Sequence, residues 1–168
     1  MDLKKKPALD RVRDLFVMAC GTGLRYSDLS RLGPQHIINN AIVMRSHKTI
    51  KDTYIPLTPS TAGILNKYNM KLPRLSEQKM NKHLKDLCKM AEIDSPIEKT
   101  NVKAEHKTHT TVPKYKLITT HIGPKTFITH CGEKGISAKI GSKITGLLIP
   151  FPPHNENIVA PGLCFRLG

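Results

Sequence analysis

Aromatic residues are scarce in this chain. Tryptophan is absent, and aromatic side chains make up 5% of the residues. Proteins that bind single-stranded RNA usually stack the bases on aromatic rings, so the composition disfavours that class of function. Long apolar runs are missing as well, since no stretch reaches the roughly 18 apolar residues that a membrane-spanning helix requires. No apolar segment follows the basic opening residues, so we expect a cytoplasmic protein with no secretory signal and no membrane partner.

Cysteine is also sparse, and its spacing excludes the common metal and disulfide patterns. The four cysteines form no C-x-x-C pair, so we expect reduced thiols, some of them buried in helices. Eight histidines raise the question of a metal site. However, neither His106 with His109 nor His130 with Cys131 has a second pair at ligand spacing. We therefore expect neither a metal nor another cofactor.

Acidic residues are few relative to basic ones. The chain has 27 lysine and arginine residues against 13 aspartate and glutamate residues, which gives a formal net charge of +14 and a pI near 9.8. This excess favours a polyanionic partner, and nucleic acid is the first hypothesis. Four lysines surround the apolar stripe of a predicted helix over 76–91. They form either a solvated face or a track along a DNA backbone: Lys79, Lys82, Lys85 and Lys89.

The pattern of the chain predicts one domain followed by a tail. Its 168 residues are enough for a single core. Residues 1–146 form a continuous pattern of helices and strands, whereas 147–168 contain four prolines and no lysine. We predict helices over 8–20, 27–32, 59–69, 76–91, 124–133 and 137–144, strands over 36–38, 41–45 and 52–57, and an exposed polar hairpin over 97–112. The predicted fold class is therefore α+β.

A glycine-built turn, Gly21-Thr22-Gly23, places Arg25 directly ahead of a short amphipathic segment. The two glycines allow the backbone to bend tightly and to approach a ligand closely. We predict Ser27 as the N-cap of the helix that follows, with the N–H groups of that helix pointing toward the turn. Such a site suits an anion. The alternative is a plain corner between two helices with a surface arginine.

The sequence GTGLRYSDLSRL, which begins at Gly21, resembles a segment of the tyrosine recombinase (phage-type integrase) superfamily. That segment, TGLR-x-S-[DE]-L-x-x-L, carries the first catalytic arginine of the superfamily. The resemblance implies a mostly helical integrase-type catalytic domain with a small three-stranded antiparallel sheet, here without the N-terminal core-binding module. It also implies attack of a tyrosine on a DNA phosphodiester with no metal or cofactor. Arg25 is then the residue that grips the scissile phosphate.

The polar stretch 46–51, between two predicted strands, resembles the lysine hairpin of the same superfamily, KTx[KG]xxx[IV]PL. Lys48 matches the catalytic lysine, which protonates the leaving oxygen, and Ile55-Pro56-Leu57 matches the downstream part. Lys51 is assigned to a phosphate or solvent contact. The alternative is that two lysines at a hairpin tip only keep a strand edge soluble.

The sequence HIGPKTF, which begins at His121, resembles the H-x-x-R motif of the superfamily. The resemblance makes His121 a catalytic candidate and Lys125 a DNA contact. Pro124 stands where the second catalytic arginine belongs, and proline has neither charge nor a hydrogen-bond donor with which to hold a phosphate. Lys125 is one residue further along, and on a helix it is expected to point to a different face from position 124. The alternative is a shifted helix start, with Gly123 as the cap and Pro124 at the first helical position, which proline prefers.

The resemblance stops after Gly146. Leu147 stands where the superfamily has the histidine of T-G-H, and no tyrosine follows Tyr115. We therefore predict a recombinase-type domain that binds double-stranded DNA, either alone or as a homo-oligomer on it, but does not cleave it as written. The change in composition at 147 indicates a shifted reading frame or, alternatively, a divergent tail with its own packing role.

The sequence is also compatible with two other functions. The first is a non-catalytic basic DNA-binding accessory or remnant protein. The second is an RNA-binding or ribosome-associated basic protein, which explains the charge but not the combination of Arg25 with the Lys48 hairpin.

Overall fold

The computed structural model describes residues 3, 5–45, 52–103 and 106–145. These ranges combine helices with small antiparallel sheets, which confirms the predicted α+β class. The helices are α1 (Pro7–Thr22), α2 (Tyr26–Leu29), α3 (Pro59–Lys67), α4 (Glu77–Met90), α5 (Ile122–Glu133) and α6 (Ala138–Thr145). The strands are β1 (Ile37–Ile38), β2 (Ala41–Arg45), β3 (Asp52–Pro56), β4 (Pro96–Lys103) and β5 (His106–Pro113), and short 3-10 helices cover Pro34–His36 and Lys114–Leu117.

Helix α1 lies at the centre of the core. It begins at Pro7, whose fixed φ and missing N–H suit the first helical turn. Helices α3, α4 and α5 all pack against it. Its predicted apolar face is buried, as expected from the spacing of Leu9, Val12, Phe16, Ala19 and Cys20.

Side-chain caps set the starts of α3 and α4. Thr58 Oγ1 accepts a hydrogen bond from the Thr61 N–H at 3.3 Å, and Ser76 Oγ accepts one from the Lys79 N–H at 3.3 Å. Each cap satisfies an N–H that has no partner within its own helix. Helix α4 then buries the apolar stripe predicted for it, at Met80, Leu84, Leu87 and Cys88.

The three predicted strands form one antiparallel sheet in the order β1-β2-β3. Asn39 and Asn40, both with positive φ (49° and 58°), make the tight turn between β1 and β2. Asparagine tolerates this left-handed conformation better than most residues, and hairpin turns require it. Strand β2 pairs with β3 from Ala41 opposite Pro56 to Arg45 opposite Asp52. The sheet therefore has the arrangement that the sequence indicated, and β3 lies next to α6.

Strands β4 and β5 form a separate two-stranded ribbon, as predicted for 97–112. The ribbon pairs from Pro96 opposite Pro113 to Lys103 opposite His106. It joins the helical body through the 3-10 helix Lys114–Leu117, which contacts both β5 and α4.

Some predicted boundaries are wrong. Helix α2 ends at Leu29 and not at Leu32, because the next residues form tighter i→i+3 turns, with the Leu32 N–H donating to the Leu29 carbonyl. The predicted break at Gly135 is confirmed, and its φ of 73° explains the need for glycine. The tail 147–168 lies outside the described residues.

No helix within the described ranges combines the length and the apolar character needed to span a bilayer.

Candidate functional site

Hydrogen bonds to backbone carbonyls of α1 close the turn that follows this helix. Gly23 has φ 70°, and its N–H donates to the Ala19 carbonyl at 2.9 Å. The Thr22 hydroxyl donates to the Met18 carbonyl at 2.6 Å and accepts from the Leu24 N–H at 3.3 Å. The turn therefore leaves α1 in a single defined direction, two residues before Arg25.

Arg25 occupies the cap position of α2. Its backbone is extended (φ −70°, ψ 159°), and its carbonyl accepts from the N–H groups of Asp28 and Leu29 at 3.0 and 2.8 Å. The prediction that Ser27 is the N-cap is therefore wrong, because the helix starts one residue earlier and Ser27 lies exposed inside it. The Arg25 residue is half-buried, and its Nη1 is shielded from solvent.

The glycine turn packs directly on two segments from the end of the described chain. A Cβ at Gly23 would lie 2.7 Å from Phe127 Cδ1 in α5 and 2.8 Å from Thr145 Cγ2 in α6. A Cβ at Gly123 would lie 2.7 Å from Ala19 Cβ in α1. The absence of side chains at both glycines therefore allows α1 and its following turn to pack closely on α5 and α6.

Tyr26, the residue after Arg25, is anchored to the segment just before α4. The Tyr26 hydroxyl donates a hydrogen bond to the Leu75 carbonyl. Burial, together with the nearby Glu77 carboxylate, raises the pKa of Tyr26. The phenol consequently stays neutral and remains a hydrogen-bond donor well above neutral pH.

The residue before His121 is anchored at the same end of α4. The Thr120 N–H donates to Asn81 Oδ1 at 2.8 Å, and the Thr120 hydroxyl donates to Glu77 Oε1 at 2.8 Å. Thr120 is almost fully buried. Leu75, just before α4, thus holds the neighbour of Arg25, and the first two turns of α4 hold the neighbour of His121.

The base of the β2–β3 connection is tied to α2. Arg31 Nη2 donates to Asp28 Oδ1 at 2.8 Å and to the Arg45 carbonyl at 3.1 Å. Arg45 is the last residue of β2, directly before the stretch that carries Lys48 and Lys51. Both of these predicted site residues lie outside the described residues.

The start of α5 differs in register from the prediction. His121 is the N-cap, and Ile122 is the first helical residue, so Pro124 lies at the third position. The alternative start, with Gly123 as the cap, is therefore wrong. Ile122, the first helical residue, is buried in the core. Proline is tolerated in the first turn because an N–H there would have no partner within the helix. Pro124 is buried, whereas His121 and Lys125 are exposed, as expected for neighbours on different faces.

Three of the predicted site residues lie in the described part of the chain: Arg25, His121 and Lys125. The neighbour of Arg25 is anchored just before α4, the neighbour of His121 is anchored in the first two turns of α4, and Lys125 lies in the first turn of α5. The anchoring residues Arg31, Asn81 and Thr120 were missed by sequence reasoning. Only Arg31 had a local signal, because it stands three residues after Asp28 on a predicted helix.

The described residues include no group of three or more histidine, cysteine, aspartate or glutamate side chains arranged to hold a metal ion.

Comparisons with protein-family models, curated proteins and solved structures found no match to this chain.

Proposed function

We propose that this chain is a tyrosine-recombinase-type domain that binds duplex DNA through a backbone phosphate at Arg25 and does not cleave it. The observation that carries this proposal is the anchoring of both segments around the start of α4. Tyr26 bonds to Leu75, just before α4, and Thr120 bonds to Glu77 and Asn81 within it, so the segments of Arg25 and His121 are held by one short stretch of chain, residues 75–81. The close packing of the Gly23 turn on α5 and α6 supports the same grouping.

Arg25 is suited to phosphate recognition by its chemistry and its setting. A guanidinium group presents planar paired donors that match phosphate oxygens and stays charged at all relevant pH values. Fixing the backbone of Arg25 at the α2 cap restricts the positions its side chain can reach, which lowers the entropy cost of binding. His121, at the exposed cap of α5, is proposed as a second phosphate contact. Lys48 and Lys51 are proposed as phosphate contacts on the resemblance alone.

The same chemistry explains why we propose binding without cleavage. Pro124 is buried in the first turn of α5 and offers no charge to a developing phosphorane. Leu147 replaces the motif histidine, and no tyrosine follows Tyr115 to serve as the nucleophile. Loss of one preorganised donor costs about 100-fold to 1000-fold in rate, and loss of the nucleophile removes the covalent route.

Replacement of Arg25 by alanine is expected to weaken duplex DNA binding about 10-fold to 100-fold. A hydrogen bond to a charged group contributes about 1.5–3 kcal/mol, and alanine removes all such donors. Fluorescence anisotropy with a short labelled duplex measures the effect, and circular dichroism checks that the fold is retained. Arg11→Ala, at an exposed position on α1, is the matched control and should change the affinity little. Equal losses in the two variants would contradict a specific role for Arg25.

Incubation with a nicked suicide duplex is expected to give no covalent protein–DNA adduct on a denaturing gel. The physical reason is the missing nucleophile and the missing second arginine. An adduct would refute the proposal of binding without cleavage. Phenylalanine variants of the four tyrosines of the chain, at positions 26, 54, 68 and 115, would then identify the attacking residue.

A non-catalytic basic DNA-binding protein with no recombinase-type site is the second candidate. The net charge of +14 favours it. It differs from the first proposal in one measurable respect, because binding driven only by net charge would respond equally to Arg25→Ala and Arg11→Ala.

A further inference from the structure

Helix α4 carries a row of lysines on the side opposite its buried stripe. Lys82, Lys85 and Lys89 follow one another at i, i+3 and i+7, so they share one helical face. We call these three residues the lysine stripe. The buried residues Met80 and Leu87 lie on the other side of the helix. Lys82 and Lys89 are exposed and Lys85 is half-buried, so their ammonium groups are directed away from the core.

The basic surface continues past the end of α4. Lys6 Nζ lies 3.5 Å from Met90 Sδ, which places the basic segment before α1 beside the last turn of α4. This contact joins residues more than 80 positions apart in the sequence. The basic surface from Lys82 to Lys6 therefore exists only when the chain is folded.

One carboxylate of α4, that of Asp86, lies next to the lysine stripe. Asp86 is 58% exposed, and its Oδ2 lies 3.7 Å from His83 Nδ1. Glu77, the other acid of α4, is engaged by Thr120 at the opposite end of the helix. The face thus has a clear excess of positive charge.

The stripe is continuous with the candidate site. Lys85 follows Asn81 by four residues, so it lies one helical turn further along the same side of α4. Asn81 is the residue that holds the Thr120 N–H, next to His121. A DNA strand with a phosphate at Arg25 and His121 would therefore meet the stripe as it continues along α4.

The dimensions of the stripe fit a phosphate backbone. Lys82 and Lys89 are separated by seven residues, or about 10 Å of helix at 1.5 Å per residue. Each DNA strand carries one phosphate per about 3.4 Å along the axis, and successive phosphates lie further apart than this along the oblique backbone itself, so this length matches about two phosphates of one strand. We propose that the lysine stripe, extended by Lys6, is a second duplex DNA contact that follows one strand away from the candidate site. This inference rests on the proposed function, since the candidate site defines where the strand begins.

The test is the salt dependence of duplex DNA binding by a triple variant, Lys82→Gln, Lys85→Gln and Lys89→Gln. Each phosphate contact contributes about 0.9 to the slope of log K against log salt. The triple variant is therefore expected to have a slope smaller by about 2 to 3 than the unsubstituted chain. A second triple variant with arginine at the same positions keeps the charge and should keep the slope.

A charge-matched control separates the stripe from net charge. Arg11→Gln, Lys71→Gln and Lys134→Gln remove three exposed positive charges elsewhere on the surface. If this control lowers the slope as much as the stripe variant, or if the stripe variant leaves the slope unchanged, the inference is overturned. It is also overturned if the stripe variant loses affinity for duplex RNA but not for duplex DNA.

The Arg25→Ala variant, measured in the same assay, reports on the proposed site independently. Weaker binding by Arg25→Ala with an unchanged slope in the stripe variant overturns only the stripe. The reverse result overturns the site at Arg25, and with it the starting point of the strand, but leaves the stripe as a duplex DNA contact.

Discussion

Replacement of Gly23 by alanine is expected to lower the free energy of unfolding by about 3 kcal/mol. A left-handed φ of 70° costs a residue with a Cβ roughly 1–2 kcal/mol. The added Cβ also approaches Phe127 Cδ1 to 2.7 Å and Thr145 Cγ2 to 2.8 Å, and such overpacking costs about 1–3 kcal/mol. Urea denaturation followed by far-ultraviolet circular dichroism measures the loss. Because Arg25 lies two residues further on, duplex DNA binding is expected to weaken as well.

Gly135 provides the control that separates backbone strain from packing. Its φ is 73°, almost the same as at Gly23, but a Cβ there meets nothing within 4 Å. Gly135→Ala should therefore lose only about 1 kcal/mol, from the conformation alone, and should bind DNA as before. Equal destabilisation of the two variants would mean that the turn does not pack on α5 and α6 as described.

Replacement of Asp14 by alanine is expected to destabilise the fold by about 3 kcal/mol. The Asp14 side chain is 4% exposed and joins α1 to α3 by accepting from Lys67 Nζ at 2.6 Å and from the Tyr68 hydroxyl at 2.8 Å. Arg13 donates to the same carboxylate. Breaking a buried charge cluster costs about 3–5 kcal/mol. The low end applies here, because Lys67 is 43% exposed and keeps Asp10 as a second partner.

The contribution of Asp14 should depend on pH in a defined direction. Burial alone would raise the pKa of Asp14, but hydrogen bonds from Lys67, Arg13 and Tyr68 outweigh it and lower the pKa. A lowered folded-state pKa means that the stabilisation is present above the unfolded pKa of about 3.9. It is lost as the pH falls through the lower folded pKa. The stability difference between the unsubstituted chain and Asp14→Ala should therefore be constant near neutral pH and shrink under acid conditions.

Asp86→Ala serves as the matched control for Asp14. Asp86 is 58% exposed and lies 3.7 Å from His83 Nδ1. Its removal should change the stability by no more than about 0.5 kcal/mol. Denaturation curves at neutral and acid pH compare the two variants. A pH-independent difference for Asp14→Ala would contradict the role of its charge.

Much of the secondary structure was predictable from local patterns. The apolar spacing of α1 and α4 identified the residues that the core buries, including Phe16 and Leu84. Alternation identified all three strands of the sheet. These predictions succeed because burial of one helical face, or of one side of a strand, requires a periodic sequence.

Two boundaries near the candidate site were not predictable in this way. Ser27 has the chemistry of an N-cap, yet the helix begins at Tyr26, whose hydroxyl bonds to the distant Leu75. Pro124 has the chemistry of a first helical residue, yet the buried Ile122 starts the helix. In both cases the residue that starts the helix has a distant partner or is buried in the core, and a local preference of about 1 kcal/mol does not set the boundary.

The sequence by itself determined the class of fold, the core-facing residues, the excess of positive charge and the presence of Arg25 in a glycine-built turn. Only the tertiary structure decided what holds that turn. The bonds from Tyr26 and Thr120 to residues just before and within α4 join positions separated by 49, 39 and 43. The contact of Lys6 with Met90 spans 84 positions. Such pairs have no local periodicity, because their partners are selected by the packing of whole helices and not by the residues beside them.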